Sequence, residues 1–355
     1  MAPPAALIPD FLFGVIAILV LARLLQKSFS GERRPLRERL LSFDFLKGIC
    51  IILVIALHAR DVASIPWPMD MMVWLAVPSF IFISGYLTAR RHPDGVEIGH
   101  FVRVWWRIGA IYTAYTLFWM LLRHVPLANL PRYLLLGLAN WGILYFIPIL
   151  LGLYLAYPLL LRIRQWTGRV PFLIICLCIS ILFESINLQH NGVIWNVDPV
   201  AHAFFGRMLF FFAVGMCVSG LDLGKVRNRV AIAAALIAFL CLLGARPESY
   251  FIPYFFAPLL FTFLLFCLYE ALKGAARAIT GIFEAFGRYT LGMYLVHPII
   301  LYVFLKPLFG EHAGADDYFL AIFIVAVSSY AVSLIFMRGY AALLERLGIR
   351  ATTGK

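Results

Sequence analysis

Two side chains that could carry out acid–base chemistry lie on one long apolar segment, FDFLKGICIILVIALHARD, which begins at residue 43. Lys47 and His58 are eleven positions apart. On an α-helix this spacing returns a side chain to within about 20° of its starting face, with a rise of about 16 Å. A neutral imidazole can serve as a general base near neutral pH. The segment therefore predicts one helix face with a cation near one end and a candidate catalytic base, His58, near the other.

Asp44 precedes Lys47 by three positions, a spacing that favours an ion pair on one helix face. It lies about 21 Å from His58 along the helix axis, too far to orient the imidazole directly. Asp44 is therefore predicted to pair with Lys47. The alternative for His58 is a buried, hydrogen-bonded structural histidine.

Other ionisable residues lie in or beside apolar segments, where a buried charge is costly and function is a candidate explanation. Arg103 and Arg107 stand one helical turn apart at the start of such a segment. They could bind an anionic group, or they could anchor the helix at a basic membrane surface. Glu184 and Arg207 could pair structurally or contact a substrate, and Glu184 could also orient His58.

His297, within MYLVHPI, is a candidate second acid–base group or substrate contact, and the alternative is a packing histidine beside a kink at Pro298. No metal site is expected, because His58 and His297 have no third ligand at a recognisable spacing. The six cysteines all fall in apolar segments and are interpreted as small packing residues.

The elements that must position these residues are membrane helices. Of the 355 residues, 63% are hydrophobic and only 14% are charged. Apolar segments of about 20 residues recur along the whole chain, which is the length of a helix that crosses a bilayer. The sequence predicts an all-α, polytopic integral membrane bundle with about eleven transmembrane helices, at residues 7–26, 44–64, 71–89, 102–122, 140–161, 171–187, 204–221, 229–244, 251–272, 287–309 and 317–338.

Charge supports this topology. The formal charge of +12 comes from short basic clusters between apolar segments, so no nucleic-acid partner is expected. The clusters fall on alternate loops, and basic loops stay in the cytoplasm. The N-terminus is therefore predicted outside and the C-terminus in the cytoplasm.

Three motifs resemble the acyltransferase-3 family of membrane O-acyltransferases. The first is the helix that carries Asp44, Lys47 and His58, because members of this family show an Asp and an Arg before a His, with the Arg eleven positions before it. The second is VPSFIFISGYL at residues 77–87, and the third is GRYTLGMYLVHPIIL at residues 287–301. The motifs NWGILYFIPILLGLYLAYPLLL and FFGRMLFFFAVGM are similar to two further family helices, so that the resemblance covers about residues 43–338.

The chain departs from the family pattern at three places. Lys47 stands where the family has Arg, and Lys is a point charge without the bidentate geometry of Arg. Arg103 and Arg107 have three residues between them, where the family usually has two. Residues 1–42 add a transmembrane helix and a basic cytoplasmic loop before a ten-helix family-like domain at 43–345, and 346–355 form a cytoplasmic tail.

The resemblance implies transfer of an acyl group, usually acetyl, from cytoplasmic acyl-coenzyme A to a hydroxyl of an extracytoplasmic or lipid-linked glycan. Acyl-coenzyme A is then a donor substrate, no permanently bound cofactor is expected, and the location is the bacterial inner membrane, among its lipids. His58 would act as base or acyl acceptor, whereas Lys47, Arg103 and Arg107 would contact donor phosphates. Asp44, Glu184, Arg207 and His297 would contact substrate or support these residues. The alternative function is a non-enzymatic exporter of a lipid-linked glycan or polysaccharide.

Overall fold

The computed structural model describes residues 40–65, 69–139, 143–191, 205–220, 235–236, 239, 251–309 and 314–346. Within these ranges every regular element is a helix. The longer ones are α1 (Leu41–Ala59), α2 (Met69–Val73), α3 (Ala76–Arg91), α4 (Ile98–Val104), α5 (Ala110–Leu122), α6 (Leu130–Leu136), α7 (Phe146–Thr167), α8 (Arg169–Asn191), α9 (Leu209–Val218), α10 (Phe251–Ala275), α11 (Arg277–Arg288), α12 (Thr290–Ile299) and α13 (Ala315–Arg346).

The helical fold class is confirmed, and the count of eleven membrane spans is not. In the described ranges five helices are long and apolar enough to cross a membrane, and a sixth joins them if the bent pair α11 and α12 is one span. The segment Phe205–Val218 is apolar but shorter. The helix expected at 7–26 and most of the one expected at 229–244 lie outside the described residues.

The chain bends sharply between α11 and α12. The axes of α11 and of the helix from Thr290 to Leu305 differ by 78°. The break is at Tyr289, whose φ of −108° and ψ of 18° leave the helical region. Pro298, where a kink was expected, lies inside α12, which continues into a π-helix at Ile300–Leu305.

Within the described ranges the chain forms two compact units, one from residues 78–264 and the other from residues 40–77 and 265–346. In the second unit α1 and α11 touch through their backbones at two glycines. A Cβ atom at Gly48 would lie 1.9 Å from the Phe283 carbonyl oxygen, and one at Gly287 would lie 1.7 Å from the Asp44 carbonyl oxygen. Only glycine allows this approach, so these two residues let α1 and α11 pack backbone against backbone.

In the first unit, α3 and α9 also approach each other closely at two glycines. A Cβ atom at Gly85 of α3 would lie 2.2 Å from the Phe212 carbonyl oxygen of α9, and one at Gly215 would lie 2.2 Å from the Phe82 carbonyl oxygen. The SGY sequence is therefore a site of close helix approach. Tyr86 itself is 1% exposed and its hydroxyl accepts a hydrogen bond from Arg90, so it is part of the packed interior.

Candidate active site

Two histidines from different helices meet in the second unit. His58 lies at the end of α1, His297 lies in α12, and their ring centroids are 5.4 Å apart. The His297 ring is fully buried, and its Nδ1 donates a hydrogen bond to the Met293 carbonyl at 3.1 Å. Since a carbonyl can only accept, Nδ1 carries the proton and Nε2 carries a lone pair in the neutral ring. That Nε2 atom has no hydrogen-bond partner among the described residues.

The two rings differ in accessibility. His297 is 0% exposed, whereas His58 is partly exposed although most of its neighbours on α1 are buried. His58 is therefore the less enclosed of the two imidazoles. A buried nitrogen without a hydrogen-bond partner lowers stability, so a functional role is a candidate explanation for the position of His297 Nε2.

At the other end of this face of α1, Lys47 forms the predicted ion pair with Asp44. Lys47 Nζ lies 2.7 Å from Asp44 Oδ1, so that this ion pair is confirmed. The Lys47 side chain is 26% exposed and that of Asp44 is 3% exposed. Because α1 is unbroken from Leu41 to Ala59, Lys47 and His58 share a face and are separated by about 16 Å of helix rise.

A second contact beyond the imidazoles was not foreseen. Asp61 follows His58 by three residues, and its Oδ2 accepts a hydrogen bond from the hydroxyl of Tyr302. Tyr302 follows His297 by five residues and lies in the π-helix. The same two chain segments thus meet at a pair of imidazoles and again at a carboxylate and a phenol. In the sequence, this contact was indicated by the acidic residue at the end of the segment HARD, residues 58–61.

Arg103 and Arg107 lie in the first unit and are both exposed. Arg103 is in α4, and Arg107 is in a π-helix at Trp105–Gly109 that continues into α5. A π-helix accommodates an additional residue in one turn. Arg103 therefore precedes this wider turn and Arg107 lies within it.

Two histidines that the sequence reasoning did not select lie beside these arginines. The rings of His92 and His100 are 4.3 Å apart. Burial, the neighbouring His92 and the positive charges of Arg103, Arg107 and Arg91 lower the pKa of His100 to about 4. Burial and the charges of Arg91 and Arg103 also lower the pKa of His92. The positive charge near the arginines at neutral pH therefore comes from guanidinium groups and not from imidazoles.

Glu184 and Arg207 form a buried ion pair in the first unit. Arg207 Nε lies 2.6 Å from Glu184 Oε2, and Nη2 lies 3.3 Å from Oε1. The residues are 1% and 5% exposed, respectively. The predicted structural pairing is confirmed, and it occupies both oxygens of the carboxylate.

The predicted site residues thus fall into both units. His58, His297, Asp44 and Lys47 belong to one unit, and Arg103, Arg107, Glu184 and Arg207 belong to the other. In the part of the chain that is described, no three His, Cys, Asp or Glu side chains are grouped so that they could hold a metal ion.

Comparison with known proteins gives one match. The family model of the acyltransferase-3 family, described as an acyltransferase domain, matches residues 40–338, which is most of the chain. No curated protein matches. No solved structure matches either.

Proposed function

Because the chain belongs to the acyltransferase-3 family, we propose that it is a membrane O-acyltransferase that uses acyl-coenzyme A, acetyl-coenzyme A by family habit, as its donor. The acceptor is a hydroxyl group of a glycan or lipid-linked glycan. Five helices that are long and apolar enough to cross a membrane, within the described ranges, support an integral membrane protein.

The observation that carries this proposal is the pair of imidazoles. A base for a hydroxyl group must present a lone pair to the proton it takes, and it must be reachable by the acceptor. His58 is the less buried ring, which supports this role, and the buried His297 beside it has its Nδ1 proton held by the Met293 carbonyl. An exporter of glycans has no need of two imidazoles in contact at the end of a helix that carries a cation on the same face.

The reaction balances with one base. The acceptor oxygen forms a bond to the thioester carbonyl carbon while His58 takes the hydroxyl proton. The carbon–sulfur bond then breaks, the electron pair leaves on the sulfur of coenzyme A, and the imidazolium returns the proton to that thiolate. In the alternative order, a nitrogen of His58 attacks the thioester carbon, and coenzyme A leaves as the thiolate and takes the proton of the other ring nitrogen. The acceptor hydroxyl then attacks the acyl group, the carbon–nitrogen bond breaks, and the released imidazole takes the hydroxyl proton.

Donor binding needs cations for phosphates. Lys47 is a candidate because it stands about 16 Å of helix rise from His58, a distance that an extended coenzyme A arm can bridge. Arg103 and Arg107 are candidates because they are exposed and adjacent in a helix that contains a π turn. Asp44 supports this arrangement by holding the Lys47 ammonium. The family habit of a cytoplasmic donor, together with the basic loops, favours a bacterial inner membrane protein with its C-terminus in the cytoplasm.

The test is the fate of a labelled acyl group. Membranes that contain the protein are incubated with radiolabelled acetyl-coenzyme A and extracted glycans, and alkali-labile ester in the glycan fraction is counted. We expect label in glycan only when the protein is present. Glycan that crosses the membrane without acquiring label would favour the exporter.

A further inference from the structure

The two chain segments that carry His58 and His297 also contact each other at a second cluster, which includes Trp74 through its contact with Arg60. This cluster consists of Arg60, Asp61, Trp74, Tyr302 and Lys306. The backbone N–H of Asp61 donates to the His58 carbonyl at 3.1 Å, so Asp61 lies in the turn that ends α1, three residues after the imidazole. Its Oδ2 accepts the hydroxyl of Tyr302. Along the helix axis, three residues correspond to about 4.5 Å, which is the scale of one sugar ring.

Two cation–π contacts flank this hydrogen bond. The Arg60 guanidinium carbon lies 5.2 Å from the centre of the Trp74 ring, and Lys306 Nζ lies 5.6 Å from the centre of the Tyr302 ring. Trp74 is 41% exposed. The cluster therefore combines an exposed carboxylate, a phenol hydroxyl and an indole, with two cations that already face aromatic rings.

We infer that Asp61 and Tyr302 form an acceptor subsite that binds the hydroxyl groups of a sugar ring, with Trp74 beside it; this rests on the proposed function. A carboxylate can accept about four hydrogen bonds, and among the described residues Asp61 accepts one from a side chain. Hydroxyl groups donate to such a carboxylate and accept from neighbouring donors, so a polyol matches both partners of the pair.

The position of Tyr302 supports a binding role more than a structural one. Tyr302 lies in a π-helix, a rare conformation that occurs frequently at functional sites. Asp61 is exposed, and a hydrogen bond that water can replace adds little to stability. An anionic acceptor fits less well, because the carboxylate would repel it while Arg60 and Lys306 already face aromatic rings.

The experiment separates acceptor preference from donor use. Purified protein in detergent is given labelled acetyl-coenzyme A with an equimolar mixture of methyl glycosides of glucose, galactose, mannose and rhamnose. Parallel reactions contain 1-propanol, or the anionic sugar glucose 6-phosphate, at the same hydroxyl concentration. Free acetate measures transfer to water in each reaction. The variants are Asp61→Asn and Tyr302→Phe. The matched controls are Asp316→Asn, at an exposed aspartate of α13, and Tyr340→Phe, at a tyrosine that stacks on Phe336.

The wild type should acetylate the glycosides in preference to 1-propanol, and both subsite variants should lower the ratio of glycoside ester to free acetate by tenfold or more. The two controls should keep the wild-type ratio. Equal ratios in wild type and both subsite variants would overturn the subsite, as would a wild type that treats glycosides and 1-propanol alike. A wild type that prefers glucose 6-phosphate to the glycosides would overturn it as well. Failure to consume the donor with any acceptor would instead remove the proposed function, and the subsite with it.

Discussion

Removing one partner of the Glu184–Arg207 pair should destabilise the protein far more than removing both. The pair is bidentate, with side chains 1% and 6% exposed. Breaking a buried ion pair from one side leaves an uncompensated charge and costs about 3–5 kcal/mol. Replacing both residues with apolar residues of similar size removes both charges and is often neutral. We therefore expect Glu184→Met and Arg207→Met each to lose about 3–5 kcal/mol, and the double variant to lose much less than their sum.

The chain offers an exposed control pair. Lys273 Nζ lies 2.6 Å from Glu270 Oε2, the same distance as in the buried pair, but these side chains are 46% and 23% exposed. Exposed pairs typically contribute about 0.2–1 kcal/mol. Denaturant unfolding of the purified proteins should therefore give a small coupling energy for Glu270→Met with Lys273→Met. It should give a large one for the buried pair.

Two outcomes would refute this reasoning. If the losses at Glu184 and Arg207 add without coupling, the two groups do not stabilise each other. If Glu184→Met keeps wild-type stability and loses only acyl transfer, the carboxylate has a catalytic or acceptor-binding role that the ion pair does not explain.

Three further predictions concern the donor site and the fold. Arg103→Ala should weaken acyl-coenzyme A binding measured by calorimetry, because a phosphate contact is charge-assisted. It should leave stability unchanged, because the side chain is exposed. Wild-type affinity, or an equal loss of affinity in the exposed control Arg162→Ala, would place the donor site elsewhere. His100 has a pKa lowered to about 4, so the unfolded state binds more protons between pH 4 and the usual value of 6.5. Stability should therefore fall as pH falls through this window, and the fall should be shallower in His100→Gln; identical profiles would contradict the lowered pKa. Gly287→Ala should destabilise the protein by about 1–3 kcal/mol or more, the usual cost of overpacking a core. The reason is that its Cβ would lie 1.7 Å from a carbonyl oxygen. Gly274→Ala should not destabilise the protein, since nothing lies within 4 Å of a Cβ there, and similar stability of the two variants would refute the close approach.

The sequence was sufficient wherever one helix determines the geometry. The Asp44–Lys47 pair and the common face of Lys47 and His58 follow from residue spacing once α1 is helical. The contact of His58 with His297 could not be predicted in this way, because it joins residues far apart in the chain and depends on how α1 and α12 pack.

Helix interruptions were the harder feature to predict. The sharp bend at Tyr289 between α11 and α12 was not predicted, and Pro298, where a kink was expected, lies inside α12. This bend follows shortly after Gly287, whose close approach to the α1 backbone is a tertiary contact that residue spacing does not predict. The π turn at Trp105–Gly109 likewise became visible only in the structure.

The most direct test of the central claim is acyl transfer per folded molecule in His58→Ala and His58→Asn. His124→Asn is the matched control, at an exposed histidine whose φ of 54° an asparagine tolerates. If His58 is the base or the acyl acceptor, both variants should lose transfer by about a hundredfold or more and still bind acetyl-coenzyme A, because asparagine can form hydrogen bonds but cannot take the proton. The control should transfer as the wild type does. Transfer close to the wild-type rate in either His58 variant would contradict the account.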